Sequence, residues 1–288
     1  MGKADRKREQ TVRARVAAQR AQQQQAERRR RMLALGGVAI AVLAVIGIVI
    51  GAVVSNSGSS SKVSGPLSGP LPAGVQQKLT VPASTLASVG LGSAQLSAMT
   101  TVTGPALTSG GKPEMLYIGA EWCPYCAAER WAMAVALSRF GSFTPLNGIH
   151  SSSSDVYPNT ATLTFYKSTY TSKYLVFTPV ENEDVNRKTL VQPTAAQQAL
   201  WAKYGSQGSY PFIDIGNRFV AGATYNPQVL QGLTWAQIAT DLHDPSSAVA
   251  KGALGSANMF TAAICKITGN APASVCTAAP IPAIEGQI

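Results

Sequence analysis

"MLYIGAEWCPYCAAERWAMAVALSRFG", residues 115–141, joins an apolar run, two cysteines two residues apart and a helical signature without a gap. "MLYIGA" has the length and composition of a buried strand. Pro124 sits where a helix can begin, because the first turn tolerates a residue without an N–H. From 127 to 140 the chain reads as helix. Trp131, Met133, Val135, Leu137 and Phe140 are spread around much of its circumference, so the helix is expected to be covered on more than one side. Gly141 ends it, and "FTPLNGI" (143–149) reads as a second strand. Strand, helix, strand in this order predicts two parallel neighbours.

Further along, 163–167 and 174–180 are β-rich and predict an added hairpin. Thr194 with Gln197 and Thr234 with Gln237 match the capping box, S/T-x-x-E/Q, and predict helices over 194–204 and 234–242. Between them, 212–215 and 218–221 flank Gly216-Asn217, a two-residue hairpin turn. Residues 246–268 predict a further helix, loosened early by Gly252 and Gly255, and 277–288 read as a loose tail.

The charge is unevenly placed. The chain of 288 residues carries a formal net charge of +10, of which residues 1–31 hold a net +8. The remainder is close to neutral, so the folded part has no basic field for nucleic acid, and headgroup lipid is a sufficient partner for the tail. After Arg28-Arg29-Arg30-Arg31 come 22 residues without a charge, 33–54. At about 1.5 Å per residue they reach roughly 33 Å, the thickness of a bilayer core. A cleaved signal peptide has a shorter basic region and apolar stretch. The expected organisation is therefore a basic cytosolic tail (1–31), a transmembrane anchor (32–54), a Ser/Gly/Pro-rich linker (55–74), an extracytoplasmic domain (75–276) and the tail (277–288).

All four cysteines, Cys123, Cys126, Cys265 and Cys276, fall on the exported side, where disulfides persist. A Cys-x-x-Cys at a strand-to-helix junction puts Cys123 at the helix N-terminus, where free N–H groups and the helix dipole favour a thiolate. The thiolate is the attacking species in disulfide exchange, and Cys126, one turn on, can resolve a mixed disulfide. Zinc would need Cys265 and Cys276 as the second half of a knuckle. Their spacing does not suit one, and His150 and His243 make no pattern with the motif. Neither metal nor cofactor is expected. Cys265 and Cys276 bracket "KITGNAPASV"; a structural disulfide is the favoured reading, and a relay to the first pair is the other.

"AEWCPYC" resembles the active-site segment of the thioredoxin superfamily, and the order β–CxxC–α–β…α–β–β–α over 111–242 is similar to that fold. Pro-Tyr between the cysteines is typical of glutaredoxins, whereas an exported domain looks more like the disulfide-forming and cytochrome-maturation branches. The longer pattern, with "SYPFIDIGNRFV", is similar to an uncharacterised family of membrane-anchored thioredoxin-like proteins over roughly residues 75–280. The resemblance implies an α/β fold: a thioredoxin-like sheet with flanking helices and an insertion at about 151–193, preceded by a single transmembrane helix. It implies a cis bond at Tyr210-Pro211, with Tyr210 and Pro211 beside the active site and Tyr210 in contact with substrate. Trp122 is a second candidate contact. One position departs from the superfamily: where thioredoxins commonly bury an acid, six residues before the first cysteine, this chain has Tyr117. Glu121 and Glu129 are nearby and expected to be more exposed. Asp214, His150 and Arg130 are expected in structural or surface roles.

The function these features imply is a membrane-anchored, extracytoplasmic thiol–disulfide oxidoreductase. Its partners would be exported cysteine-containing proteins and a membrane redox protein that resets the dithiol. Two alternatives stand beside it: a thioredoxin-fold binding or assembly module with a static disulfide, and a copper chaperone using Cys123 and Cys126, which lacks nearby Met or His clusters.

Overall fold

A computed structural model describes residues 69–288, apart from 73 and 145. The centre is a mixed sheet built on β4 (Lys112–Ala120), the strand expected from the apolar run. On one side β4 pairs antiparallel with β10 (Phe212–Ile215), then β11 (Phe219–Ala221), then β2 (Met99–Thr101). On the other side it pairs in parallel with β9 (Val176–Glu183). The short β3 (Thr108–Ser109) folds back on the start of β4. Met115 and Tyr117 face one core, and Leu116 and Ile118 face a second, across the sheet. Both faces being covered explains why the buried part of the strand, 115–120, is apolar throughout rather than alternating.

Helix α2 (Pro124–Ser138) follows β4 directly, and every residue from Cys126 to Leu137 is buried. Three sets of neighbours cover it. Trp131 Nε1 donates to Ala161 O at 3.1 Å, and Thr162 Oγ1 donates to Ala127 O at 2.7 Å, so β7 (Ala161–Thr164) lies against it. The Tyr225 hydroxyl donates to Ala128 O at 2.7 Å. The long helix α5 (Ala248–Ile267) packs alongside. On the opposite face of the sheet, α3 (Ala195–Tyr204) contributes Leu200, Trp201 and Tyr204 to the second core. Both capping boxes are formed: Thr194 and Gln197 open α3, and Thr234 and Gln237 open α4 (Trp235–Asp241). The β10–β11 turn is Gly216-Asn217, with φ of 68° and 51°.

The expected fold class needs correction in several places. Among the described residues no helix is long and apolar enough to cross a membrane; the expected transmembrane helix, residues 33–54, lies outside the described residues. The strand expected at 143–149 is not the parallel neighbour of β4. It is divided between β5 (Gly141–Thr144) and β6 (Asn147–His150), which belong to two small antiparallel sheets. The parallel neighbour of β4 is instead β9, whose eight residues run along most of its nine. The expected hairpin of 163–167 with 174–180 does not form. β7 pairs with β6, β8 (Thr169–Ser172) pairs with β5, and the third segment is β9 itself. Strands β5 to β8, within 141–175, thus lie outside the central sheet, and β9, within the expected insertion of 151–193, belongs to it.

The ends also differ from expectation. β1 (Gly69–Pro70) pairs with β6, and Leu71 is buried, so the folded part begins within the expected linker. The tail carries α7 (Ile281–Glu285), whose Ile281 and Ile284 enter the main core. α5 is regular through both glycines. Each lets another part of the chain come close: a Cβ on Gly255 would lie 2.1 Å from Leu91 O, and one on Gly252 would lie 2.5 Å from the Tyr225 ring.

Candidate functional site

Cys123 is the N-cap of α2, and its Sγ accepts a hydrogen bond from Cys126 N at 3.2 Å. The geometry arises because β4 ends at Ala120, the chain turns with Cys123 N donating to Ala120 O, and Pro124 supplies the first helical residue. The hydrogen bonding with Cys126 lowers the Cys123 thiol pKa against the opposing effect of burial, and the positive charge of Arg130 lowers it further. Burial raises the Cys126 thiol well above its ordinary value. The two sulfurs are therefore unlike: one suited to be a thiolate, the other to hold its proton. Cys123 is 3% exposed and Cys126 is fully buried, so exposure hardly separates them.

Ala120, Cys123 and Cys126 form one cluster, against which Trp122 and Tyr210 pack. The Tyr210-Pro211 bond is cis, and Pro211 precedes β10, whose Phe212 pairs with Ile118 near the cysteine end of β4. Tyr210 stacks on Trp201 at 5.1 Å and meets Trp122 edge-on at 5.9 Å. Pro211 also lines a cleft of about 300 Å³ with Val102, Tyr204 and Phe212. Trp122 Nε1 donates to Glu183 Oε2 at 2.7 Å, while the Arg187 guanidinium lies 3.7 Å from the centre of its ring. Arg187 in turn is 3.6 Å from Asp155. Among the described residues the exposed large apolar side chains are Tyr125 (38% exposed) and Val156 (57%), and Tyr125 meets Tyr157 edge-on at 6.2 Å. Ser152 N donates to Trp122 O, so the Ser-rich loop borders the cysteines.

The acids do not lie where the sequence placed them. Glu121 and Glu129 are both buried rather than more exposed. Burial raises the Glu121 pKa, and its Oε1 accepts from the Thr164 hydroxyl at 2.7 Å. Glu129 points away toward Thr224, whose N–H and hydroxyl donate to Oε1 at 2.6 and 2.9 Å; burial pushes its pKa to about 8. Asp214 is also buried. It accepts from Asn217 N at 2.7 Å in the β10–β11 turn, and burial pushes its pKa to about 6. His150 lies half-buried against the Trp235 ring at 4.4 Å.

Sequence reasoning missed Glu181. Its carboxylate holds Arg130 in a fork, Nε to Oε1 at 2.8 Å and Nη2 to Oε2 at 2.7 Å, with both side chains out of solvent. The available signal was a lone Arg, four residues after Cys126, in an otherwise apolar helix face. Among the described residues no cluster of three or more His, Cys, Asp and Glu could hold a metal ion. Cys265 and Cys276 are joined in a disulfide, Cα–Cα 5.6 Å, which ties the end of α5 to the short α6 (Ala273–Cys276).

A family model described as a domain of unknown function (DUF929) matches residues 98–266. No curated protein and no solved structure matches the chain.

Proposed function

We infer that this chain, which belongs to the DUF929 family, is an extracytoplasmic thiol–disulfide oxidoreductase acting on cysteines of exported proteins. The observation that carries the reading is the asymmetry of Cys123 and Cys126 at the start of α2, one sulfur hydrogen-bonded to a helix N–H and the other sealed beneath it. That arrangement supports the likeness to the thioredoxin superfamily drawn from "AEWCPYC". The Cys265–Cys276 bridge supports an oxidising compartment.

In the reducing direction the Cys123 thiolate attacks a client disulfide. A Cys123–client S–S bond forms and one client sulfur leaves as a thiolate. Cys126 loses its proton to water and attacks Cys123 Sγ. The internal disulfide forms and the second client sulfur leaves, so the client gains two electrons and the enzyme loses two. Oxidation of a client dithiol is the same sequence reversed. Trp122, Tyr210 and Pro211 are the substrate contacts in this reading. A membrane dithiol or quinone-linked protein resets the pair.

The test is a non-reducing gel of exported proteins from cells carrying each single variant. Cys126→Ala should accumulate mixed disulfides through Cys123, and Cys123→Ala should accumulate few. Equal trapping by both would contradict the assigned roles. The near-complete burial of Cys123 favours a second reading, a binding or assembly module that does no redox work. Absence of trapped species in both variants would select it.

A further inference from the structure

We propose that Arg130, fixed by Glu181, is the positioning residue for Cys126: its guanidinium is the counter-charge that lets the buried resolving sulfur react as a thiolate. This rests on the oxidoreductase reading above.

Cys126 has no exposed surface, and a bare thiolate in such a place is costly. Exchange nevertheless requires that thiolate when the mixed disulfide is resolved. Arg130 follows Cys126 by four residues on α2, which puts both on one helix face. Its Nη2 donates to Ala120 O at 2.8 Å, and Ala120 packs against both sulfurs. Glu181 reaches it from β9, where Glu181 pairs with Gly119, and also accepts from Phe165 N at 3.2 Å. The guanidinium is thus held from two sides and cannot swing away. One of its nitrogens is left over: among the described residues Nη1 is buried without a partner. The Tyr117 hydroxyl is also buried without a partner, and its ring lies 6.0 Å from the Arg130 Cζ. Gly119 makes room for that phenol, since a Cβ there would fall 2.0 Å from the hydroxyl oxygen. Two polar groups with unspent hydrogen-bonding capacity therefore lie close enough for their charges to act on the cysteines.

Electrostatics agree with this placement. Burial raises the Cys126 pKa and Arg130 opposes it; Arg130 also lowers Cys123. The other titratable groups about Arg130 are Tyr117 on β4, Glu121 in the turn and Glu181 on β9. Glu129, next on the helix, is turned toward Thr224. Arg130 remains charged across the working pH range, so it holds the thiolate without taking up the proton.

The step assigned to it is the second bond exchange. The Cys126 S–H bond breaks and its proton passes to water. The Cys126–Cys123 bond forms, the Cys123–client bond breaks, and the client sulfur takes the electron pair.

The aromatic disulfide 5,5′-dithiobis(2-nitrobenzoate) separates the two exchanges on the reduced full-length chain. Attack by Cys123 releases one coloured thiolate, and attack by Cys126 on the mixed disulfide releases the second. Arg130→Met is expected to slow the second release about tenfold at pH 7, the effect of one pKa unit on the thiolate fraction. The pH midpoint of that phase should rise, the first phase should fall less, and Arg130→Lys should recover part of the loss. Glu181→Gln leaves the cation less compensated and should move the midpoint down, an outcome that loss of packing would not produce. An unchanged second phase and midpoint in a folded Arg130→Met protein, or an unmoved or raised midpoint in Glu181→Gln, would overturn the proposal alone. A wild-type chain that releases no second thiolate would overturn the oxidoreductase reading together with it.

Discussion

Glu129 shows how one enclosed side chain can govern the response of a whole chain to pH. Its pKa rises from 4.5 to about 8 because burial penalises the carboxylate more than the Thr224 donors favour it. The folded state therefore keeps a proton that the unfolded state releases. The stability this confers is full below pH 4.5 and lost as pH climbs through about 8. Glu129→Gln preserves shape and removes the titration. Between pH 5 and 9 the native chain should lose on the order of 4 kcal/mol relative to the variant. Urea unfolding at a series of pH values measures this. Asp214 and Glu121 also have raised pKa values, but they are common to both proteins and cancel in the difference. Parallel curves for the two would show that Glu129 is not the titrating group.

At the level of the element, α5 sets helix propensity against packing. Replacing a helical glycine with alanine ordinarily stabilises by about 1 kcal/mol. At Gly255 the added Cβ would meet Leu91 O at 2.1 Å and Leu91 C at 2.8 Å, and backbone cannot rotate aside. Overpacking of this kind costs about 1–3 kcal/mol or more. Gly255→Ala is therefore expected to lower the denaturation midpoint despite its better propensity; a raised midpoint would mean that the 91 turn yields. The sequence suggested only looseness here, because close approach involves a partner more than 160 residues away. The same limit separates the other elements. β4, the start of α2, both capping boxes and the Gly216-Asn217 turn were legible because their signals are local: an apolar run, Pro124, Thr with Gln three residues on, paired turn residues. β9 was not. "VFTPVENE" contains a proline and three acid or amide residues and looks like a hairpin arm. As an edge strand whose one strand partner among the described residues is β4, it tolerates Pro179, and Glu181 is there for Arg130, 51 residues earlier. At the site, Cys123, Cys126 and Tyr210-Pro211 were legible, whereas the buried ion pair beneath them left no periodic trace.

Taken whole, the molecule is unequal on its two sides. One face of the central sheet carries α2, α5 and the small sheets of the 141–175 segment in one large core. The other carries α3, in which no residue is buried. Local openings follow such differences in burial. Amide exchange should place α2 and β4 among the slowest peptides, opening only with global unfolding, and α3 among the faster ones. Equal protection of α3 and α2 would refute this division. The thin side also leads to the sulfurs, because Trp201 of α3 stacks on Tyr210, which packs with Trp122 against the two cysteines. Thiolates and disulfides quench indole emission differently at short range. With Trp122 packed directly on the cysteine cluster, oxidation of Cys123 and Cys126 is expected to change the chain's own tryptophan emission, readable without any attached dye.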